Sequence, residues 1–341
     1  MLKLGGFIGI SGRKFLKNVG IALRVILRKK IILLIALTLC SACTKNPEPP
    51  LTIAINPWPG YEFLYLAEHQ GFFEQVGANI KLVQLASLAD TQAAYIGGRT
   101  DGLAGTLIES VQAELLGGEP LNIILIPDYS NGGDVVIAGK ETNTVSDLKG
   151  LRVGCEVSSL GIYFLQRTLA SEGLSISDVL VINVTQADGE QALLEGKIDA
   201  FVSYPPVSIN LLKHDQFHSI FSSADIPYEI IDTISLSVQS IEENPGIVEK
   251  IHDAWQLSLD FYRDDPKTAI QIMAEREGVS TSDFEDVLAD LIILDKAQQR
   301  ELFGKPEDIQ SSLKNVCQVL VNIGSLTTQC EDLPNIVYSN E

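Results

Sequence analysis

The segment GRTDGLAGT, residues 98–106, returns 98 positions later as GKIDAFVSY, residues 196–204. Both copies begin with a glycine, a basic residue, any residue and an aspartate, and continue with a small residue and an apolar run. The match extends upstream, since Asp90 corresponds to Asp188 at the same offset. The sequence therefore predicts that two parts of the chain fold as copies of one unit.

Each copy extends over three predicted strands and two predicted helices. Short apolar runs alternate with amphipathic stretches, in the order strand, helix, strand, helix, strand. The elements cover 51–56, 61–70, 80–86, 90–96 and 101–105 in the first copy, and 151–157, 160–172, 179–184, 188–195 and 198–203 in the second. This alternation predicts an α/β fold with two parallel sheets, each covered by helices on both faces.

After about residue 240 the pattern becomes helical. Asn244-Pro245 and Asp265-Pro266 each combine a capping residue with a proline suited to the first helical position. The run IVEKIHDAWQLSLDFYR, residues 247–263, has apolar residues at helical spacing. We expect these helices to complete one of the two units, with Trp255 and Met273 in its core or at the core's edge.

The first 42 residues have the composition of a leader. They contain eight Lys or Arg and no Asp or Glu, and a short apolar run at 31–39 is followed by CSAC. A basic start, a short apolar run and small residues before the cleavage point are typical of a signal peptide, and Ser41-Ala42-Cys43 resembles a bacterial lipobox. We predict a lipoprotein signal peptide over 1–42, lipidation of Cys43 and a proline-rich tether over 43–50.

Removal of the leader makes the chain strongly acidic. Seventeen Lys or Arg then stand against 44 Asp or Glu, a net charge of about −27. Nucleic acid and anionic lipid surfaces repel such a chain and are poor partners for it.

Three cysteines remain after Cys40 and Cys43 are set aside. Cys317 and Cys330 lie thirteen positions apart near the C-terminus, and in an exported chain they are candidates for a disulfide bond. Cys155 lies in the apolar run LRVGCEV and is expected to be a buried thiol.

Five loops directly follow predicted strands. They are NPWPGYE (56–62), AGT (104–106), DYSNGGD (128–134), EVSSLG (156–161) and SYPP (203–206). In open α/β sheets, ligands bind at the carboxyl ends of the strands. Two units that face one another would bring all five loops into one cleft.

Trp58 lies between Pro57 and Pro59 in the first of these loops. The prolines restrict the loop, so less ordering remains to oppose binding, and the indole could cover an apolar or π-faced ligand. Alternatively, Trp58 is a lid over the core of its own unit.

The hydroxyl-bearing candidates also have structural explanations. Thr106 and Glu109 have the spacing of a capping box, which would explain both residues without a ligand. Ser158 and Ser159 can cap the next helix, whose free N–H groups could also donate to a ligand. Tyr204 is either a stacking platform or a packing residue.

The five loops contain no Lys or Arg, whereas they hold Glu62, Asp128, Asp134 and Glu156. A small dianion would depend on backbone N–H groups and hydroxyls alone. We therefore favour a ligand with a neutral heteroaromatic or amine-bearing part. A Lys or Arg from elsewhere in the chain would reverse this interpretation.

Taken in order, these segments resemble the solute-binding proteins of bacterial ABC importers in the nitrate, taurine, alkanesulfonate and thiamine-pyrimidine group. The resemblance runs from about residue 51 to residue 304. It rests on INPWPGYEFLYLAEHQGFF, DYSNGGD, DLKGLRVGCEVSSLGIYFLQRTLASEGL, GKIDAFVSYPP and FSSADIPYEIIDT. It implies a type II periplasmic-binding fold, with two Rossmann-like lobes, a hinge, a ligand cleft and extra C-terminal helices.

The resemblance also implies how the chain is divided. The first lobe would be discontinuous, residues 51–134 plus 233–335, and the second lobe would be residues 135–232. The hinge crossings would lie near residues 133–136 and 231–233. Closure of the lobes would bury the solute.

Residues of the cleft follow from the resemblance and from the loops. The resemblance places there Trp58, Tyr61, Thr106, Ser158 and Tyr204, and the loops add Glu62, Ser130, Asn131 and Ser159 as substrate contacts. We expect no catalytic residue, metal ligand or cofactor. The implied partners are a small-molecule solute, ABC permease and ATPase subunits, and the membrane through the lipid anchor. The protein is expected to be an extracytoplasmic monomer.

Other functions compete with solute capture for import. Yeast-type pyrimidine synthases share the fold but carry a CCCFC motif, which this sequence lacks, and it has no HExxH, GxSxG or Walker A pattern. A sensor that docks on a membrane kinase or cyclase would use the same cleft and the same closure. A purely structural lipoprotein is disfavoured by the repeat and by the aromatic, hydroxyl-rich loops.

Overall fold

The computed structural model describes residues 49–339 of the 341-residue chain. The predicted signal peptide over 1–42, the predicted lipidation site Cys43 and most of the predicted tether lie outside these residues. Within them, no helix combines the length and the apolarity needed to cross a membrane.

Within residues 49–339, twelve strands form two five-stranded sheets and one two-stranded sheet. The strands are β1 Leu51–Ile55, β2 Ile80–Gln84, β3 Gly102–Thr106, β4 Leu121–Leu125, β5 Asp128–Ser130, β6 Val135–Gly139, β7 Arg152–Cys155, β8 Leu180–Asn183, β9 Ala200–Ser203, β10 Phe217–Ser222, β11 Asp232–Ser237 and β12 Leu291–Ile293. The first sheet has the order β2-β1-β3-β11-β4, and the second has the order β10-β6-β9-β7-β8. Strands β12 and β5 form the small sheet.

Helices pack around these sheets. They are α1 Glu62–His69, α2 Phe72–Gln75, α3 Leu88–Ile96, α4 Leu107–Leu115, α5 Leu160–Ser171, α6 Gln186–Leu194, α7 Val207–Leu212, α8 Val238–Glu243, α9 Ile247–Asp264, α10 Pro266–Glu277, α11 Thr281–Ala289, α12 Lys296–Phe303 and α13 Pro306–Asn322. The predicted α/β class is thus confirmed.

The predicted repeat is confirmed, because both copies contain all five expected elements. Each copy also pairs its three strands in parallel and in the same spatial order, β2-β1-β3 and β8-β7-β9. The expectation of wholly parallel sheets is wrong. Strand β11 runs antiparallel to β3 and β4, and β6 runs antiparallel to β9 and β10.

The antiparallel strands β6 and β11 are the first strands that the chain forms in a large sheet when it arrives from the other large sheet. It crosses between the sheets through residues 126–134 and again through residues 223–231. Asp232 at the start of β11 pairs with Thr106 at the end of β3, and Val135 at the start of β6 pairs with Ser203 at the end of β9. Each crossing therefore enters its new strand at the carboxyl end of the parallel strands. The predicted lobes, 51–134 plus 233–335 and 135–232, remain our proposal for the domain division.

The C-terminal helices cover the first sheet's side of the molecule. Helix α9 packs on α1, and Trp255 and Met273 are buried as predicted. Pro266 begins α10 after Asp265, as predicted, but Gly246 rather than Asn244 precedes α9, which begins at Ile247.

The last helix is held by a covalent bond. Cys317 in α13 and Cys330 form a disulfide, which is the pairing considered from the sequence. Cys155 is a free, buried thiol, as expected.

Candidate functional site

A cavity of about 10 Å³ lies beyond the carboxyl ends of β1, β3 and β9. The lining residues come from loops and strand ends of both large sheets. They are Asn56, Trp58, Tyr61, Leu88, Thr106, Asp134, Leu160, Tyr204 and Asp232. Four of the predicted cleft residues, Trp58, Tyr61, Thr106 and Tyr204, are thus brought together. A cavity of this size holds about one water molecule.

The aromatic rings of Trp58 and Tyr204 contact each other across this cavity. Their centroids are 6.3 Å apart and their planes meet at 79°, an edge-to-face arrangement. Leu88 N donates a hydrogen bond to Tyr204 Oη at 3.2 Å, and both rings are buried. In this conformation the rings pack on each other, so a solute that stacks on both of them must first separate them.

Two glycines permit the position of the indole. A Cβ at Gly133 would lie 2.7 Å from Cη2 of Trp58, and a Cβ at Gly60 would lie 2.9 Å from Nε1 of Trp58. The Cβ at Gly60 would also overlap the carboxylate of Asp128, to which Trp58 Nε1 donates at 3.3 Å. The loop therefore needs glycine at both positions for this close approach.

Tyr61, Asp134 and Asp232 line the cavity, and Asp128 is buried beside Asp232 without lining it. Tyr61 Oη contacts Gly105 O at 2.8 Å and donates to the carboxylate of Asp232. Burial raises the pKa of Asp128 and of Asp134 to about 7. Burial, and next the charge of Asp128, raise the pKa of Asp232 well above its usual value. These groups therefore hold protons at pH values where exposed aspartates are ionised.

Glu109 connects α4, the helix that follows β3 of the first sheet, with α5, the helix that follows β7 of the second sheet. It accepts hydrogen bonds from Thr106 N at 2.7 Å and Thr106 Oγ1 at 2.6 Å, which confirms the predicted capping box at the start of α4. Its second carboxylate oxygen accepts from Leu160 N at the start of α5, at 2.7 Å. One of the N–H groups that were predicted to be free at that helix start, that of Leu160, is therefore already engaged by Glu109.

The two serines before α5 do not act as caps. Ser159 occupies the capping position, but its side chain makes no capping hydrogen bond, and Ser158 is exposed. The hydroxyl of Ser159 is buried without a hydrogen-bond partner among the described residues. The predicted capping role is therefore wrong. Nearby, Glu156 is buried and accepts from Gln186 N at 3.3 Å, and burial raises its pKa to about 7.

Glu62 does not line the cavity. It lies in the first turn of α1, is fully buried and forms an ion pair with Arg276 of α10. The guanidinium of Arg276 also lies 3.5 Å from the centroid of the Tyr65 ring. Glu62 is thus neutralised by a cation from a distant helix, and neither residue is among those lining the cavity.

Ser130 and Asn131 support the site from outside the cavity. Ser130 Oγ lies 2.8 Å from Ser223 Oγ and accepts from Asp134 N at 3.3 Å. Asn131 N donates to Asp290 O at 2.8 Å. Ser130 therefore holds the backbone of Asp134 in place, while Asn131 connects the loop to the end of α11.

Several lining residues were not predicted. These residues are Asn56, Leu88, Asp134, Leu160 and Asp232. Asp232 lies outside the five loops because it begins an antiparallel strand instead of following a parallel one. Its place at the end of the quoted segment FSSADIPYEIIDT, at the predicted second crossing, was the available signal.

Comparison with known proteins places this site in a family. A family model described as NMT1/THI5 like matches residues 58–269. A protein of Haemophilus influenzae named as a thiamine biosynthesis protein is 29% identical over 146 residues, which are 42% of this chain and 46% of that protein. The alignment thus spans less than half of that relative.

Solved structures share the fold over most of the chain. The periplasmic aliphatic sulphonate-binding protein of Escherichia coli matches with a TM-score of 0.68 at 16% identity, covering 84% of this chain and 96% of that one. A ligand-binding component of an ABC-type import system from Staphylococcus aureus matches with a TM-score of 0.67 at 14% identity, covering 86% and 97%. The periplasmic nitrate-binding protein of Synechocystis PCC 6803 matches with a TM-score of 0.66 at 12% identity, covering 83% and 83%. The periplasmic-binding-protein fold implied by the sequence is therefore confirmed.

Proposed function

The chain belongs to the NMT1/THI5-like family, and we propose that it is the extracytoplasmic solute-binding component of an ABC importer. The observation that carries this proposal is the convergence of loops from both large sheets on one aromatic and polar cavity. A receptor of this kind captures a small organic solute between its lobes and presents the closed form to the permease and ATPase subunits. The lipobox-like Ser41-Ala42-Cys43 supports a lipid anchor.

Closure explains the contacts between the two sides of the cavity. A cavity of about 10 Å³ is too small for an organic solute, so the lobes must separate to admit one. Separation would break the hydrogen bond from Leu160 N to Glu109 and the hydrogen bond from Leu88 N to Tyr204. A solute that contacts both sides of the cavity would bind the closed state more tightly than the open state. The difference between these two affinities sets how far the solute shifts the protein toward the closed state.

The proposed solutes are heteroaromatic or amine-bearing molecules, such as thiamine pyrimidines, with taurine and alkanesulfonates as the alternative. The aromatic pair Trp58 and Tyr204 supports a planar solute, and the name of the Haemophilus influenzae relative supports the inclusion of pyrimidines. The sulphonate-binding structural relative supports the alternative.

We propose a receptor rather than an enzyme. The residues that line the cavity include no histidine and no cysteine, which are common catalytic bases and nucleophiles. His252, which is buried, has its Nε2 near Ile124 O within the first sheet's core and not at the cavity.

The test uses the fluorescence of the two tryptophans of the full chain. Trp58 lies at the cavity, whereas Trp255 is fully buried and donates to Leu294 O at 2.7 Å. Binding of an aminopyrimidine, amine, taurine or alkanesulfonate should change the emission of the parent, and the change should vanish in Trp58→Phe. The same solute should raise ATPase activity in membrane vesicles that contain permease and ATPase subunits of the source organism. A solute that binds without this stimulation would contradict import and favour the sensor.

A further inference from the structure

We propose that the solute carries a protonated nitrogen with N–H donors, which binds between Asp134, Asp232 and Asn56 beside the indole of Trp58. This inference rests on the proposed function, since it assumes that a solute occupies the cavity. It selects the amine-bearing class among the proposed solutes and rejects the sulfonates.

The cavity presents buried oxygen atoms that lack hydrogen-bond donors. Oδ1 of Asn56 and Oδ2 of Asp134 and of Asp232 are buried and have no hydrogen-bond partner among the described residues. All three residues line the cavity; Oδ1 of Asn56 is an acceptor, and each aspartate oxygen is an acceptor once its carboxyl has ionised. A buried acceptor without a donor loses the hydrogen bond it made to water. The cavity therefore favours a ligand that donates several hydrogen bonds.

The cavity also lies among acidic side chains. Asp128, Asp134 and Asp232 are all buried, and the buried carboxyl of Glu109 is close enough that its charge acts on Asp134 and on Glu156. The lining residues include no Lys or Arg. The charged neighbours that raise the pKa of Asp134 and of Glu156 are themselves carboxyls: Glu109 for the first, and Asp90 and Glu109 for the second. A cation would remove this repulsion, whereas an anion would add to it.

The ionisation of Asp128 and that of Asp232 depend on each other because the two carboxyls are adjacent. A hydrogen bond between them requires that one of the two be protonated, which agrees with the raised pKa of both. Asp232 therefore offers a free acceptor to a solute only once the proton that it shares with Asp128 has been released. Asp134 and Asn56 do not depend on this shared proton.

The same residues suit an organic cation with N–H groups better than a metal ion or a quaternary ammonium. Within residues 49–339, no group of His, Cys, Asp or Glu is arranged to hold a metal ion. A quaternary ammonium has no N–H donor and would leave the three acceptors without hydrogen bonds. An ammonium or aminopyrimidinium group supplies donors to the carboxylates, and the adjacent indole can add a cation–π interaction.

The experiment is a thermal-shift and calorimetric screen of the purified full chain at about pH 7. The panel contains primary amines and aminopyrimidines, their uncharged hydroxyl analogues, their trimethylammonium analogues, and taurine, alkanesulfonates and nitrate. We expect hits among the cations with N–H donors, and we expect the hydroxyl and trimethylammonium analogues of each hit to bind roughly 10- to 100-fold more weakly. Strongest binding by a sulfonate, nitrate or an uncharged analogue would overturn the charge assignment while leaving the receptor function intact. Absence of any hit would instead contradict the receptor function.

Variants assign the binding to these side chains. Asp134→Asn and Asp232→Asn should each weaken a cationic hit roughly 10- to 100-fold, whereas Asp215→Asn, at an exposed position, should bind it like the parent. Calorimetry of the parent near pH 6, in two buffers with different enthalpies of ionisation, provides a readout that does not depend on folding of a variant. Cation binding should release protons because the carboxyls must ionise. Binding without proton release, or equal affinity in both cavity variants and Asp215→Asn, would overturn the proposal.

Discussion

Replacement of Asp134 by asparagine should stabilise the protein and at the same time weaken its binding of a cation. Asp134 is buried, its Oδ2 has no hydrogen-bond partner among the described residues, and burial and the nearby Glu109 raise its pKa to about 7. An unfolded aspartate ionises near its usual pKa of about 3.9. Between these two values the folded protein binds more protons than the unfolded chain, so its stability falls as the pH rises through this window.

The size of the effect follows from the same pKa values. Each pKa unit corresponds to about 1.4 kcal/mol, and between about pH 5 and pH 7 the unfolded group is ionised while most of the folded group is protonated. Asp134 should therefore lower the free energy of unfolding of the parent by about 2 kcal/mol over this interval. The asparagine side chain has no charge to bury, so the Asp134→Asn variant loses this pH dependence. Its advantage over the parent should increase by about 2 kcal/mol, which is roughly 3 °C in Tm when the entropy of unfolding is about 2.1 cal/mol/K for each of residues 49–339.

The assay is urea denaturation of parent and Asp134→Asn at about pH 5, 6, 7 and 8. Asp215→Asn is the matched control, because it makes the same chemical change at an exposed position. The difference between Asp134→Asn and the parent should widen with rising pH, whereas Asp215→Asn should follow the parent at every pH. A constant difference between Asp134→Asn and the parent would show that Asp134 is ionised in the folded protein throughout, and would refute the reasoning from burial.

Three further predictions concern the loop, the tail and the cavity. Gly60→Ala should lower the free energy of unfolding, measured by urea denaturation, by about 1–3 kcal/mol because the new methyl group would overlap Asp128. Gly139→Ala is the control and should cost less, since a Cβ there meets no atom within 4 Å. Equal losses in the two variants would contradict the close packing of the loop. Reduction of the disulfide between Cys317 and Cys330, which closes a short loop, should lower the free energy of unfolding by about 3 kcal/mol. A variant with alanine at both positions should not respond to the reductant. An unchanged Tm of the reduced parent would count against a stabilising disulfide. Affinity for a cationic solute, measured by calorimetry, should increase from about pH 5 to pH 8. The reason is that the cation competes with protons for carboxyls whose pKa is raised. An affinity that is constant over this range would show that these carboxyls do not change their ionisation on binding.

The repeat was readable in the sequence because strand and helix periods are local properties. Apolar alternation and the two Gly-basic-x-Asp motifs predicted each β-α-β-α-β unit, and the structure has all of these elements. The loops after the parallel strands could be located for the same reason, since each loop follows its strand directly. Trp58, Tyr61, Thr106 and Tyr204, which line the cavity, lie in loops that this rule located, and the family resemblance had named them individually.

Long-range pairing could not be predicted in the same way. Glu62 looked like a cleft residue, but the helical turn that contains it directs the side chain to Arg276, which lies 214 positions later in the chain. Ser159 has the residue type of a helix cap, yet its side chain makes no capping hydrogen bond to α5. Instead, Glu109 of α4 accepts a hydrogen bond from Leu160 N, the first N–H group of α5. Asp232 reaches the cavity because the chain returns from the second sheet at the carboxyl end of β3. Residue types and their spacing thus determine the elements and most of the loops at the site. The partner of each buried charge depends on which surfaces meet after the chain has crossed between the sheets, since burial and not sequence distance sets the strength of those interactions.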